Sequence, residues 1–194
     1  MADRPIIFSA PMVRALLDGQ KSQTRRIIKP QPFLIANGWA CVDRSGAPQT
    51  WLPQLRVTRY APGDRLWVRE AWTARMEHGW TIADARSRMF REEILYRADG
   101  DDAEGWWPSI HMPREFSRTT LIVTEVRVQR LQDISDEDAV AEGVGDLCGA
   151  PALVFADLWE SLHGPEAWAQ NPWVAAITFT THRCNIDATE AASA

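Results

Sequence analysis

The chain has 194 residues, 45% of them hydrophobic, and a formal charge of −5. That is enough apolar material for one well-packed domain, while the acidic balance excludes a protein that coats nucleic acid through a broadly basic surface. Cys41, Cys148 and Cys184 are odd in number and lack a Cys-x-x-Cys spacing, which excludes a disulfide framework and a zinc ribbon.

The first element is a short helix around Val13, Leu16 and Leu17, with Ser9 placed to cap it, Pro11 in its first turn and Gly19 at its C-terminal stop. Residues Gly19 to Arg26 follow as a polar turn containing Lys21, Thr24, Arg25 and Arg26. Gln31 to Tyr60 is irregular, with mixed charge and scattered Pro, Gly and Trp. Leu66 to Trp72 alternates, with Leu66 and Val68 opposed to Trp67 and Arg69, and reads as a strand with one wet face. A second irregular interval runs from Thr73 to Trp107. Thr119 to Arg130 is a second strand, with Ile122, Val126 and Val128 opposed to Arg127 and Gln129. Ser135 is placed to cap a helix from Asp136 to Glu142, and Val154, Phe155, Leu158, Trp159 and Leu162 form the apolar stripe of another before Gly164. Trp173 to Thr180 is a third strand, because it is β-branched and apolar with Pro confined to its start. Asp187 to Ala194 reads as a frayed tail. Several strands with few short helices suggest an α+β barrel. No window reaches the ~18 apolar residues of a membrane span and the N-terminus lacks an apolar signal core, so a soluble, cytoplasmic protein is expected.

Cations concentrate at Lys21, Arg25, Arg26 and Lys29, then at Arg65 and Arg69, then at Arg114 and Arg118, while acid gathers in Asp133 to Glu142 and the tail. A localised cationic pocket on an acidic protein suits one nucleotide or a short single strand better than a long duplex. Of ten Trp residues, Trp67, Trp159 and Trp173 lie within apolar patterns and are assigned to packing. Trp106 and Trp107 are the candidates for stacking on a base.

A threonine hydroxyl becomes a nucleophile when a base removes its proton, and a lysine can serve if burial or neighbouring cations pull its pKa toward neutrality. Arg25 and Arg26 could do this for Lys21, and Thr24 lies within reach along the chain. The plainer reading is that these cations are solvated or hold phosphate and that Thr24 satisfies the turn. Glu142, at a helix C-terminus, sits where the dipole disfavours a carboxylate. It suits a proton shuttle, or is a surface residue before a capping glycine. Glu70 faces opposite Arg69 on its strand and needs an arginine partner if it points inward. His78, His111, His163 and His182 are scattered, so no metal site and no cofactor are expected.

Gly19-x-Lys21-x-x-Thr24-x-Arg26 is similar to the Gly-x-Lys-x-x-(Glu/Thr)-x-Arg signature of ASCH domains, small β-barrels related to the RNA-binding PUA domain. The resemblance continues through Gly63–Glu70, Pro108–Arg114, Leu131–Gly143 and Asn171–Val174, in order across most of the chain, and is to the longer bacterial and phage-encoded type. It implies a single PUA-like domain over residues 1–186, with insertions near 31–60 and 73–107 and a flexible tail at 187–194. In the compact ASCH enzymes that hydrolyse N4-acetylcytidine, a Lys, a Thr and a Glu form the proposed catalytic set. Lys21, Thr24 and Glu142 match them, with Glu142 following Leu131-x-x-Ile134-Ser135. The candidate substrate-binding or RNA-binding residues are Arg25, Arg26, Arg69, Glu70, Trp106, Trp107, His111, Arg114 and Arg118. The expected function is binding of a modified nucleoside or single-stranded RNA in a cationic cleft, with hydrolysis of the amide of N4-acylated cytidine. The alternatives are a non-catalytic RNA-binding module, an RNA-cleaving ASCH ribonuclease, or a phage or prophage protein whose insertions serve a protein partner.

Overall fold

The structure is a computed structural model describing residues 2–35, 38–42, 48–50, 58–75, 81–86, 93–100, 103–145 and 149–188. The architecture is mixed α+β. Its largest sheet has the strands β1 (Asp3–Ile7), β6 (Arg65–Arg69), β9 (Thr120–Arg130), β10 (Trp173–His182) and β2 (Gln23–Ile27), paired in that order. Between β2 and β6 come β3 (Phe33–Ile35), β4 (Gly38–Val42) and β5 (Pro48–Thr50), which form a three-stranded sheet. β7 (Trp72–Ala74) pairs with β8 (Ile94–Tyr96). Among the described residues the five-stranded sheet is open, ending at β1 and β2.

The chain divides into two compact units, each assembled from separated segments. The first takes residues 1–20, 63–122 and 180–194. In it β1 lies parallel to β6, with Ile6 opposite Val68, and β6 pairs antiparallel with the start of β9. Helix α1 (Ala10–Leu17) starts after Ser9 with Pro11 in its first turn and ends as the sequence demands. Gly19 takes φ +73°, its N–H reaches the Leu16 carbonyl, and the Gln20 N–H reaches the Ala15 carbonyl. This pair of bonds satisfies two of the helix's orphan carbonyls and needs a residue that tolerates the left-handed region. Trp72, Ala74, Ala85, Met112 and Phe116 form a buried cluster, against which Trp107 packs.

The second unit takes residues 21–62 and 123–179. Here β10 pairs antiparallel with β2, placing Ala175 opposite Arg26 and Ile177 opposite Thr24. Helices α3 (Asp136–Ala141) and α4 (Pro151–His163) close over a core of Leu131, Ile134, Ala139, Val144, Phe155, Trp159, Ala167 and Val174. Ser135 caps α3 by accepting from the Asp138 N–H at 3.1 Å. Glu142 is the residue that ends α3, and Gly143 turns the chain with φ +85°.

Three expectations are corrected. Arg25 and Arg26 lie on a strand rather than in a turn, because β10 supplies a partner ladder that the local sequence does not reveal. The intervals read as irregular contain β3, β4, β5 and β8 and the short helix α2 (Ile82–Ala85), which Thr81 and Asp84 close with a reciprocal capping box. On β9 the buried face carries Leu121 and Val123, with Ile122 only half-buried. Leu121-Ile122-Val123 is apolar throughout, so alternation alone does not choose its inner face. The side chain of Cys41, and Cys148, His78 and residues 189–194, lie outside the described residues.

Candidate functional site: a buried ion cluster and a cationic pocket in the second unit

Period-two geometry on β2 places Gln23 and Arg25 on one face and Thr24 and Arg26 on the other. The first face meets the C-terminal half of α3. Arg25 donates to Glu142 Oε1 at 3.0 Å, to Asp138 Oδ2 at 2.7 Å and to Gln23 Oε1 at 2.6 Å. Asp138 also accepts from Arg127 at 2.7 Å and from Gln23 at 3.1 Å. Just before β2, Lys21 forms a backbone bridge with Glu142. Its Nζ donates to Glu142 Oε2 at 2.8 Å and to the Glu142 carbonyl at 2.6 Å. Neither the Lys21 nor the Arg25 side chain has measurable exposure, and that of Glu142 is 3% exposed.

The end of α3 explains this arrangement. Its last carbonyls lack intrahelical donors and carry the negative end of the helix dipole. The Ser22 N–H answers the Ala141 carbonyl at 2.8 Å and the Lys21 ammonium answers Glu142. Two cations around one carboxylate offset the desolvation that a buried Glu would otherwise suffer. Burial holds Lys21 below the ordinary lysine range; Glu142 pulls it back up, and Arg26 and Arg25 push it further down. Burial also raises Asp138, but bonds from Arg127 and Gln23 and the charges of Arg25 and Arg127 outweigh it, leaving that carboxyl below its usual value.

A cavity of about 410 Å³ lies along β2. Arg25, Arg26, Lys29, Arg59, Tyr60 and His163 line it, and no Asp or Glu is among its described lining residues. Arg25 therefore belongs both to the ion cluster and to the pocket wall. Arg59 donates to the Tyr60 hydroxyl at 2.9 Å and its guanidinium lies 5.1 Å from that ring's centre. The Arg26 guanidinium is disfavoured by burial and by Arg59, and is supported by Tyr60 and Glu142. Burial, Arg26 and Lys29 all hold the His163 imidazole below its usual pKa. Ala175, opposite Arg26 on β10, contributes a small side chain to the wall and leaves the space open.

The residues singled out from the sequence fall in both units. Lys21, Thr24, Arg25, Arg26 and Glu142 belong to the second. Lys21, Arg25 and Glu142 are in direct contact, while Thr24 is buried on the β2 face it shares with Arg26. Arg69, Glu70, Trp106, Trp107, His111, Arg114 and Arg118 belong to the first. Glu70 is buried and held by Arg118 through bonds of 3.0 and 3.1 Å, the arginine partner its inward position requires. Arg118 also bonds Asp99 and lies 3.9 Å above the Tyr96 ring. Arg69 donates to the Ile110 carbonyl and lies over Trp67. Arg114 bonds Asp187 and Asp3. Trp107 packs on Trp72 with ring centres 4.7 Å apart, Trp106 is half-buried and His111 is exposed. Asp138, Arg127, Arg59, Tyr60 and His163 are the residues sequence reasoning missed. Asp138 had a visible signal, its place three residues after Ser135, but only as part of a helix cap.

Comparison with known proteins found no matching family model, no matching curated protein and no matching solved structure. Among the described residues no helix is long and apolar enough to cross a membrane.

Proposed function

We propose that this protein binds a modified nucleoside or single-stranded RNA in the cationic pocket along β2. The observation that carries the reading is the lining itself: Arg26, Lys29 and Arg59 around Tyr60 and His163, without a carboxylate among the described lining residues. Walls of one charge sign focus potential into a cleft and attract an oppositely charged ligand. The volume lies within the ~300–1,000 Å³ range of single small-ligand sites. The ASCH resemblance, with its PUA-like barrel, supplies the nucleoside and RNA chemistry.

A second reading is favoured by the Lys21–Glu142 contact: amide hydrolysis at N4-acylated cytidine by Lys21, Thr24 and Glu142, which lie on or beside β2 but are not among the described lining residues of the pocket. In this scheme, which needs the Thr24 hydroxyl to reach Lys21 from the β2 face it shares with Arg26, neutral Lys21 takes the Thr24 proton as the Thr24 oxygen attacks the acyl carbon. Arg26 stabilises the oxyanion, and the Lys21–Glu142 pair returns the proton to the N4 nitrogen as the C–N bond breaks. Water then cleaves the acyl-threonine ester, releasing the carboxylic acid. Burial lowers the Lys21 pKa from its ordinary value while Glu142 raises it, and the first step needs the burial effect to prevail.

The deciding experiment incubates purified protein with N4-acetylcytidine and follows cytidine by chromatography, beside folded Lys21→Ala and Thr24→Val variants. Parallel binding assays use N4-acetylcytidine and a short single-stranded RNA. Release that both substitutions abolish supports hydrolysis. Binding without release leaves the pocket as a recognition site, and absence of both binding and release overturns the proposal.

A further inference from the structure

The pocket's charge is greater than a neutral nucleoside needs. Arg25 bonds Glu142 and Asp138, and Arg26, Lys29 and Arg59 line the same cavity, which has no carboxylate among its described lining. Burial, and to a smaller extent Arg59, disfavour the charge on Arg26 while Tyr60 and Glu142 support it, and Arg26 and Lys29 disfavour the charged form of His163. Three side chains that stay cationic at ordinary pH line one cavity, and walls of one charge sign favour a ligand of the opposite sign. A neutral cytosine nucleoside brings no such charge.

Geometry adds two further points. The cavity is the size of one small ligand, so only a single nucleotide unit is enclosed. Tyr60, Ile27 and Ile28 line it together with the cations. Charge beside an apolar face is the division a nucleotide presents, with phosphate at one end and base at the other. A terminal phosphomonoester carries more charge than an internal diester and offers three unesterified oxygens to several donors.

Resting on the nucleoside reading above, we infer that the ligand of this pocket carries a phosphomonoester, held by Arg26, Lys29 and Arg59, and is therefore a nucleotide or the phosphorylated end of a strand rather than a free nucleoside.

The test is equilibrium binding at fixed ionic strength with five probes: cytidine, cytidine 5′-monophosphate, inorganic phosphate, and one short RNA bearing either a 5′-phosphate or a 5′-hydroxyl. Cytidine monophosphate should bind at least tenfold more tightly than cytidine and than inorganic phosphate. Lys29→Gln and Arg59→Gln should each weaken the monophosphate by a larger factor than they weaken cytidine, so that most of the monophosphate's advantage is lost. Circular dichroism confirms that both variants are folded. A 5′-phosphorylated RNA that matches or exceeds the mononucleotide, while its 5′-hydroxyl form does not, identifies a strand terminus as the source. Preference for the mononucleotide alone identifies the free nucleotide. Equal binding of cytidine and its monophosphate overturns the phosphate inference and leaves the nucleoside reading standing. Equal binding of the two RNAs, both tighter than the mononucleotide, overturns it in favour of internal phosphates. Inorganic phosphate binding as well as the nucleotide overturns recognition of the base, and no binding of any probe overturns both readings.

Discussion

Each unit buries a glutamate and answers it with arginine, but the two solutions differ. In the first unit Glu70 is matched by Arg118, which runs out to the exposed Asp99 and covers the Tyr96 ring. Burial opposes the charge on Arg118, yet its bonds to Glu70 and Asp99 hold its pKa above the ordinary arginine value. Burial likewise pushes the Tyr96 phenol up to about 12. Arg118 and the Tyr96 phenol therefore stay protonated across the physiological range, as parts of a structural brace should. In the second unit Glu142 serves two wholly buried cations, and Lys21 is held below its usual pKa by the same burial. Two cations share one carboxylate there, and Arg25 of that cluster also lines the cationic pocket. A buried ion pair thus marks a candidate site only when its surroundings press against the charge state and a cavity adjoins it.

The contrast predicts unequal costs of removing the two carboxylates. Glu142→Gln leaves Lys21 and Arg25 buried against a neutral amide and should cost about 3–5 kcal/mol, read from chemical denaturation midpoints. Glu70→Gln leaves Arg118 its two bonds to Asp99 and an outlet to solvent, so about 1–3 kcal/mol is expected. Equal losses would show that the second unit's cluster is no more constrained than the first unit's brace.

Acid should separate the two regions by sign. Glu70 is held above 4.5, by burial first and by the Asp99 charge, although Arg118 pulls it down. Between 4.5 and its folded pKa it binds more protons folded than unfolded, so stability from this group falls as pH rises through that window. Asp138 is held below 3.8, so its contribution is complete above 3.8 and is lost as pH falls through its folded pKa. Unfolding free energies between about pH 3 and 6 should therefore lose their upper slope in Glu70→Gln and their acid limb in Asp138→Asn. The opposite assignment would reverse the electrostatics described for both units.

How much of this was legible beforehand follows from where each signal lies. Ser9, Pro11 and Gly19 are all local to α1, and the end of that helix follows its sequence. The alternation of Leu66 and Val68 likewise gives the correct inner face of β6. The lysine–glutamate contact joins positions 121 residues apart, and no periodicity links them. Only the resemblance placed Lys21 and Glu142 in one set, and it gave no hint that Lys21 would also close the end of α3. The pocket was still less visible, because Arg59 and Tyr60 end an interval without pattern and His163 ends α4. Sequence period reports which way a side chain faces its own element, and it is silent on which distant element arrives there.

The smallest predicted difference concerns two serines in the same formal position. Ser135 opens α3 and its hydroxyl oxygen accepts from the Asp138 N–H, whereas Ser9 opens α1 without a side-chain bond to the helix. Replacing Ser135 by Ala should cost about 1 kcal/mol, because an orphan donor loses its partner. Ser9→Ala should cost no more than about a few tenths, since no such bond exists to lose. The Ser135 cap also holds the residue whose carboxylate collects Gln23, Arg25 and Arg127. Ser135→Ala should therefore lose part of its effect in an Asp138→Asn background, while Ser9→Ala should not. Thermal denaturation of the three single and two double variants measures both statements. Strict additivity of Ser135→Ala with Asp138→Asn would mean that the cap and the ion cluster are independent, and that α3 is held in place by its core contacts alone.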